Sequence, residues 1–307
     1  LIRQVLIYPP LIFDTPTNKR TGHFDPVPRN PLEAFSGDKN EWLCYPAKVG
    51  SLVILVYFNL RYFELGFALA NLFELASDED LRQKPNGVFV YGVPGLDWKG
   101  AAGYRTIFYD DQANGMLVGA TPEDDEFAYF GYLKKMILTL HNIQIMKRGL
   151  MPFHGALFSL QVRGRAPFNV LMMGDTGAGK SETIEAMRSL SGSGFEDLVI
   201  IADDMGSLQI GPDGELLGFG SETGAFVRLD DLQPGYAFGQ IDRAILMNAN
   251  QVNARVVLPV VPYHEIIRPH AIDMLLYANN YEPVDAEHPV LERFASPDAA
   301  LEVFRRG

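Results

Sequence analysis

Two spacings of apolar residues divide the chain. Helical spacing, with an apolar residue at every third or fourth position, appears at 61–76 and again at 124–149, where the acidic run TPEDDE stands at the predicted N-terminus. From Pro152 onward the pattern changes to short apolar runs between Gly and Asp turns, which predict strands. These runs are ALFSLQV, FNVLMMG, LVIIADD, SLQIG, AFVRL, AILMNA and ARVVLPVV.

The order of these elements predicts an α/β fold. A mixed sheet with one prominent helix, 181–190, follows a region in which strands such as GVFVYGV lie between the two helical patterns. We expect an N-terminal α/β region at 1–120 and a second domain, containing the mixed sheet, at 121–307. The chain begins without Met and stops within the helical pattern DAALEVFRRG, so the natural protein is expected to continue at both ends.

Composition narrows the classes of function. The net charge of -12 argues against a nucleic-acid surface, which needs clustered Lys and Arg to displace counterions. The most apolar stretch, 51–76, contains three charged residues and therefore lacks the uninterrupted run of about 20 apolar residues that a membrane span needs. One cysteine, Cys44, no N-glycosylation acceptor and no secretory signal indicate a cytoplasmic protein.

One stretch fits the phosphate-loop pattern G-x-x-x-x-G-K-[ST] at every position. It lies between the strand FNVLMM and the helix SETIEAMRSL, which is the context that the motif needs. Its glycines let backbone N–H groups converge on phosphate oxygens, Lys180 reaches the β- and γ-phosphates, and Ser181 can ligate Mg²⁺. The second domain is thus predicted to be a catalytic P-loop domain that binds a nucleoside triphosphate and metal. The loop consists of Gly174, Asp175, Thr176, Gly177, Ala178, Gly179, Lys180 and Ser181.

Two adjacent aspartates follow the next apolar run. The strand predicted at 199–202 delivers Asp203 and Asp204 at its end, where P-loop proteins place a second metal-binding carboxylate. One carboxylate can hold Mg²⁺ through a water, while the other ligates a second ion or takes a proton from an attacking hydroxyl. The structural alternative is a solvated turn that begins with Asp.

Together these motifs resemble the superfamily that joins the ATP-dependent phosphoenolpyruvate carboxykinases with the HPr serine kinases. The loop GDTGAGKSET is similar to that of the kinases, whereas other segments between 125 and 285 are similar to the carboxykinases. YFGYLKK resembles the carboxykinase element that carries a substrate-side Tyr and a metal-binding Lys, here Tyr129 and Lys135. MPFHGAL places His154 nineteen residues after that lysine, as in the family's metal site. VNARVVLPVVPYHEIIRP resembles the segment with a catalytic Arg, here Arg255.

The resemblance implies a Mn²⁺ site formed by Lys135, His154 and Asp204. Mixed nitrogen and oxygen ligands suit this borderline ion. A lysine must be neutral to ligate, and adjacent Lys134 together with the metal charge disfavours a second ammonium. Thr176 falls where the carboxykinases have a loop Ser that touches the substrate phosphate, and its hydroxyl could do the same. Without the family, the two lysines would be expected on a solvated helix face. The histidine would fit a metal ligand and a hydrogen-bonded core residue equally well.

The implied function is that of a phosphoenolpyruvate carboxykinase-like phosphotransferase, in which ATP with Mg²⁺ and Mn²⁺ phosphorylates the enolate left when oxaloacetate loses CO₂. The partners are then a nucleoside triphosphate and a small-molecule carboxylate; the sequence does not distinguish ATP from GTP. The catalytic set is Tyr129, Lys135, Lys180, Asp203, Asp204 and Arg255, and the metal ligands are Lys135, His154, Ser181, Asp203 and Asp204.

Other readings stay open where the match departs from the carboxykinases. For the arginine with which the family binds the substrate carboxylates, only Arg20 and Arg105 are candidates. The segment between the loop and the aspartates is longer than expected for the carboxykinases and closer in length to that of the kinases. One alternative is an HPr-serine-kinase-like kinase, in which Asp203 or Asp204 acts as base toward a hydroxyl of a protein or small molecule. Another is a nucleotide-binding module that regulates assembly. Core or surface positions are expected for His141, His264, His270 and His288, which have no ligand spacing.

Overall fold

The computed structural model describes most of the chain, and its contacts divide into two compact units. The large unit comprises Leu1–Pro152 and Gly220–Arg268, and the small unit comprises Phe153–Phe219 and Pro269–Gly307. The residues described are 1–7, 11–18, 24–33, 35–96, 106–174, 177–189, 196–230, 241–279, 283–285 and 289–306, without the side chains of residues 181, 185, 188, 189, 241 and 306.

The described chain is rich in short strands and has few helices. The strands are β1 (Leu11–Phe13), β2 (Phe24–Pro26), β3 (Trp42–Val49), β4 (Leu52–Asn59), β5 (Glu74–Leu75), β6 (Gly87–Val93), β7 (Thr106–Asp111), β8 (Met116–Pro122), β9 (Met151–Gln161), β10 (Phe168–Gly174), β11 (Asp197–Ala202), β12 (Met205–Ile210), β13 (Leu216–Gly220), β14 (Gly224–Arg228), β15 (Ile245–Met247), β16 (Arg255–Pro259), β17 (His270–Ala271) and β18 (Met274–Ala278). The helices are α1 (Phe63–Ala68), α2 (Phe130–Lys147), α3 (Lys180–Ser189), α4 (Tyr263–Ile267) and α5 (Pro297–Arg306).

Mixed sheets form the framework of the large unit. One has the strand order β2-β7-β8-β6-β4-β3-β5, and another has the order β1-β15-β16-β14. In the first, β3 and β4 form a hairpin with Val49 opposite Leu52, and Gly50 takes the positive φ (+53°) that the tight turn requires. Burial alternates along β4, as expected for a strand with one face in the core. The long helix α2 packs on β6 and β8.

The small unit is built on a mixed sheet of order β17-β13-β12-β9-β10-β18, in which β11 also pairs with β9. Strand β9 runs antiparallel to both β10 and β11, so these two strands flank it and point in the same direction. β18 extends the sheet as a parallel neighbour of β10. Gly155 of β9 has no room for a side chain, since a Cβ there would lie 2.5 Å from the carbonyl oxygen of Met172.

The predicted α/β class with mixed sheets is confirmed. FNVLMMG forms β10 throughout, and the helical pattern at 124–149 forms α2. Strands β8, β13 and β18 are not singled out by the apolar pattern, and of these β18 pairs with the distant strand β10. The predicted boundary at residue 120 falls inside β8, within the large unit, and the two compact units are interleaved along the chain. Among the residues that the structure describes, no helix is long and apolar enough to cross a membrane.

His141 of α2 belongs to the core of the large unit. It is 1% exposed, and its Nδ1 lies 3.1 Å from Asn142 Oδ1. Burial lowers the pKa of His141 to about 4, because the imidazolium would lose its hydration, and the contact with Asn142 offsets this only in part. The imidazole is therefore neutral in the folded protein at neutral pH.

We expect His141 to make the fold acid-sensitive. Because its pKa is lowered on folding, the unfolded chain takes up a proton that the folded chain does not, so stability is complete above about pH 6.5 and is lost as pH falls toward about 4. The loss is about 3 kcal/mol at most. Urea unfolding across this range, compared between the natural chain and His141→Gln, should show a steeper acid decline in the natural chain. Parallel pH profiles would contradict this assignment.

Candidate functional site

The phosphate-loop sequence connects β10 to α3 in the small unit. Gly177 and Gly179 have φ values of +82° and +80°, in the left-handed region that glycine adopts without a steric penalty. These conformations turn successive backbone N–H groups toward one side, which is how such loops form a concave anion site. Ala178 lies between the two glycines, and the main chain of Ser181 is in the first turn of α3. Asp175, Thr176 and the Ser181 side chain lie outside the described residues.

Lys180 is the first residue of α3, and its side chain extends back toward the start of the loop. Its Nζ donates a hydrogen bond to the carbonyl oxygen of Gly174 at 2.8 Å, and only 8% of the residue is exposed. Thr183 stabilises the same turn, since its Oγ1 donates to the carbonyl oxygen of Gly179 at 2.7 Å. The ammonium is thereby held at the end of β10, next to the helix N-terminus, where both charges attract a phosphate.

Gly174 also has a packing role. A Cβ at this position would lie 2.4 Å from the carbonyl oxygen of Ala278 in β18. The first glycine of the loop motif is therefore required by the close approach of a neighbouring strand.

His154 and Asp204 meet at the start of β9. Nε2 of His154 lies 2.9 Å from Oδ1 of Asp204, and the two side chains are 40% and 31% exposed. The backbone holds the same junction, because the N–H of Gly155 donates to the carbonyl oxygen of Asp204 at 3.0 Å. This contact brings together two of the predicted metal ligands.

The register of β9 explains why these groups gather. Met173, near the end of β10, lies opposite Gly155, while Ala202, at the end of β11, lies opposite Leu157. The carboxyl ends of β10 and β11 therefore adjoin the beginning of β9, and the phosphate loop, His154 and the two aspartates emerge at one sheet edge. A register shift between Ile200 and Ala202 immediately precedes the aspartates. Such irregularities can redirect side chains near active sites.

The contact between His154 and Asp204 fits a shared metal ion. Two ligands 90° apart on an octahedral ion at about 2.1 Å are about 3 Å from each other, close to the 2.9 Å observed. An imidazole nitrogen and a carboxylate oxygen also suit Mn²⁺. Within the described ranges, no group of three or more His, Cys, Asp or Glu side chains is placed to hold a metal ion. Lysine is not one of these four residue types, so this finding does not bear on Lys135, the third ligand predicted from the sequence.

The large unit brings Tyr129 and Arg255 to one aromatic side chain. Tyr129 is the N-cap residue of α2, and its ring centroid lies 6.0 Å from that of Phe226 in β14. The guanidinium carbon of Arg255 lies 5.5 Å from the same ring, while its Nε donates to Asn253 Oδ1 at 3.0 Å. Phe130 packs edge-on against Phe226 as well. The sequence does not indicate the role of this phenylalanine, because AFVRL reads only as a strand.

The adjacent lysines of α2 have different surroundings. Lys134 is buried, and its Nζ lies 3.0 Å from Oε1 of Glu222, which is also buried. The two charged atoms are close enough to form an ion pair, but the geometry at Oε1 is not that of a hydrogen bond. Lys135, one position along the helix, is partly exposed. The sequence predicts a shared solvated face or a lysine next to a metal ligand, and it does not predict the buried carboxylate partner of Lys134.

The predicted residues are thus brought together in two groups. Tyr129, Lys135 and Arg255 belong to the large unit, while the loop, His154, Asp203 and Asp204 belong to the small unit. A site that combines the two groups stays a prediction. Arg20, Arg105 and His288 lie outside the described residues. His264 is exposed beside Glu265, and His270 is buried, in keeping with surface and core positions.

Neither the protein-family models nor the curated proteins contain a significant match to the chain. The functional argument therefore rests on the motifs and on the geometry of these residues.

Substitution of Gly179 should separate loop conformation from fold stability. A Cβ would have open space there, so Gly179→Ala acts through the left-handed φ of +80°, which costs a non-glycine residue about 1–2 kcal/mol. We expect weaker ATP binding in titration calorimetry. Gly214→Ala is the matched control, because Gly214 has a φ of +83°, the same open space, and a position in the turn before β13. Equal ATP affinity in both variants would argue against a nucleotide loop.

Removal of one partner from the buried ion pair of Lys134 and Glu222 should be costly, although the pair itself adds little net stability. Glu222→Gln leaves a buried ammonium without its compensating charge, which costs about 3–5 kcal/mol in urea unfolding. Replacement of both partners, Lys134→Met with Glu222→Leu, should restore most of that loss. The control is Asp110→Asn, which removes an exposed partner of Lys147 on the same helix and should cost at most about 1 kcal/mol. If Asp110→Asn and Glu222→Gln lowered the free energy of unfolding by similar amounts, the expected difference between the buried and the exposed ion pair would be wrong.

Proposed function

We propose that this chain is a phosphoryl-transfer enzyme of the carboxykinase type, which uses a nucleoside triphosphate to convert oxaloacetate to phosphoenolpyruvate. The observation that supports this most is the sheet edge of the small unit, where the phosphate loop adjoins the contact between His154 and Asp204. A loop alone would favour only nucleotide binding. A histidine and a carboxylate at ligand separation beside it favour chemistry on the bound phosphate.

In the proposed reaction, the bond between the leaving carboxylate carbon and its neighbour breaks, CO₂ departs, and the electron pair forms the enolate of pyruvate. The enolate oxygen then attacks the γ-phosphorus, and the bond from that phosphorus to the oxygen of ADP breaks. Oxaloacetate and ATP thus yield phosphoenolpyruvate, CO₂ and ADP. The protein's part is to orient the reactants and to neutralise charge that develops on oxygen.

Lys180 and the loop amides would bind the phosphates of the nucleotide. The ammonium of Lys180, which donates a hydrogen bond to the Gly174 carbonyl oxygen, would donate to a phosphate oxygen of the bound nucleotide. Arg255 would hold the transferring group and Tyr129 would contact the substrate, as the resemblance implies. Their common contact with Phe226 supports a joint role.

His154 and Asp204 would hold a divalent ion, with Lys135, Ser181 and Asp203 as the further ligands that the sequence predicts. When bound, Mg²⁺ or Mn²⁺ would supply positive charge to phosphate and enolate oxygens. The chain's own contribution is a pair of unlike donors held at 2.9 Å by the register of β9.

A kinase that acts on a hydroxyl is the second candidate. The partly buried carboxylates of Asp203 and Asp204 at the sheet edge favour it, because either could accept the proton of an attacking hydroxyl. The contact of Asp204 with His154 favours the carboxykinase, since an imidazole and a carboxylate at this separation could bind one cation together.

The test is to follow phosphoenolpyruvate formation from oxaloacetate and ATP with Mg²⁺ and Mn²⁺. His154→Ala and Lys135→Ala should lower the rate by about 100-fold or more, while ATP still binds through the loop. His264→Ala is the control, because this histidine is exposed beside Glu265 and should leave the rate unchanged. ATP binding without any phosphoenolpyruvate would refute the carboxykinase and move the search to hydroxyl acceptors.

A further inference from the structure

The loop between β15 and β16 has an uncommon backbone. Asn248 and Asn253 are its two asparagines with positive φ, at +53° and +66°. Asparagine tolerates this left-handed region better than other non-glycine residues, and its side chain can then bond to nearby backbone. Residues in such conformations persist only where the surroundings fix them, and they are frequent at functional sites.

Both asparagines are tied to the segment that follows β1. Oδ1 of Asn248 accepts from the N–H of Thr15 at 2.7 Å. Nδ2 of Asn253 donates to the carbonyl oxygen of Asn18 at 3.0 Å and to its Oδ1 at 2.9 Å. These bonds fix the loop at two points, and the second point lies two residues before Arg255.

Asn253 also orients the guanidinium of Arg255. Its Oδ1 accepts from Arg255 Nε at 3.0 Å, while the ring of Phe226 lies 5.5 Å from the guanidinium carbon. One contact lies in the guanidinium plane and the other faces the ring, so the group is held from two directions. The bond uses the single N–H on Nε and leaves the four N–H groups of the two terminal nitrogens.

One carboxylate lies near two arginines here, since Asp230 interacts electrostatically with both Arg228 and Arg255. Arg228, directly opposite in the β14–β16 ladder, forms an ion pair with Asp230. Arg255 instead has a neutral amide oxygen as its acceptor. Two arginines that share one carboxylate leave a net positive charge, and a planar cation oriented by a neutral acceptor in that setting is suited to bind two oxygens of a phosphoryl group.

We infer that Asn253 is a positioning residue, which holds Nε of Arg255 so that both terminal nitrogens of the guanidinium are presented to a phosphate group. This inference rests on the proposed function, in which Arg255 contacts the transferring group. It adds that Asn253 orients the guanidinium of Arg255. The ligand class is a tetrahedral oxyanion with at least two unesterified oxygens.

Asn253→Gly is the informative variant. Glycine adopts a φ of +66° without strain, so the substitution removes the side-chain bonds while the backbone conformation stays accessible. Titration with inorganic phosphate, in protein that also carries Lys180→Ala to weaken the loop site, measures the large unit's anion binding. We expect Asn253→Gly to weaken phosphate binding about tenfold, because a hydrogen bond to a charged group is lost, and Arg255→Ala to weaken it further.

A double-variant cycle separates positioning from a general structural effect. If Asn253 acts through Arg255, Asn253→Gly should add nothing to the loss in Arg255→Ala protein. Asn248→Gly is the matched control, since Asn248 has the same backbone conformation and a similar tie to the segment after β1 without a contact to Arg255. It should leave phosphate affinity unchanged even if it lowers the melting temperature.

The outcomes distinguish this inference from the proposed function. Additive losses from Asn253→Gly and Arg255→Ala, or phosphate binding that is indifferent to Arg255, would overturn the positioning role. Non-additive losses without any phosphoenolpyruvate formation would support the positioning role and reject the carboxykinase reaction. Non-additive losses together with phosphoenolpyruvate formation would support both.

Discussion

Strand β9 is the element on which the candidate site of the small unit depends. Because it is hydrogen-bonded to β10 on one side and to β11 on the other, its register decides where those strands end relative to each other. A slip by one residue would turn the side chains of a whole strand to the opposite face. Gly155 permits the tight pairing with β10, since a side chain there would meet the Met172 backbone. The contact of His154 with Asp204 follows from this pairing.

In the large unit, β14 and the residues just before it contact the first turns of α2, which also packs on β6 and β8. Phe226 of β14 touches Tyr129 and Phe130 at the start of the helix, and Glu222, just before the strand, pairs with Lys134 one turn further along. Two contacts four residues apart along the strand segment fix both the position and the rotation of the helix. A buried ion pair adds little net stability compared with apolar packing. Its geometric effect, which prevents rotation of α2, gives a better reason for its presence.

The parts that sequence patterns predict are those defined by local spacing. The phosphate loop depends on eight consecutive residues and their flanking strand and helix, and α2 depends on apolar residues that recur every three or four positions. Glu222 could not be found in this way. It stands in the tripeptide Ser-Glu-Thr, whose composition is typical of an exposed turn. In the folded protein it is buried, and the backbone of its two neighbours is hydrogen-bonded to Gly50 and Leu72, which are distant in sequence.

Arg255 shows the same limit for the candidate site. The family resemblance singles out the residue, but its orientation depends on Asn253, Phe226 and Asn18, which lie far apart in sequence. A left-handed asparagine is also not distinguishable from an ordinary turn residue by composition. Sequence patterns therefore identify candidate residues, whereas contacts between distant parts of the chain determine how their side chains are oriented.

Lys134 and Arg255 have physically different acceptors. Glu222 neutralises Lys134, so little net charge from that pair remains to act on a ligand. Nε of Arg255 instead donates to the amide oxygen of Asn253, and a neutral acceptor of this kind orients a cation without cancelling its charge. An anion that arrives can then displace or add to a weak neutral acceptor, at a much smaller cost than separation of a buried ion pair. A neutral acceptor at Nε therefore suits a cation that is proposed to bind phosphate, whereas a buried carboxylate partner suits a lysine whose role is to fix a helix.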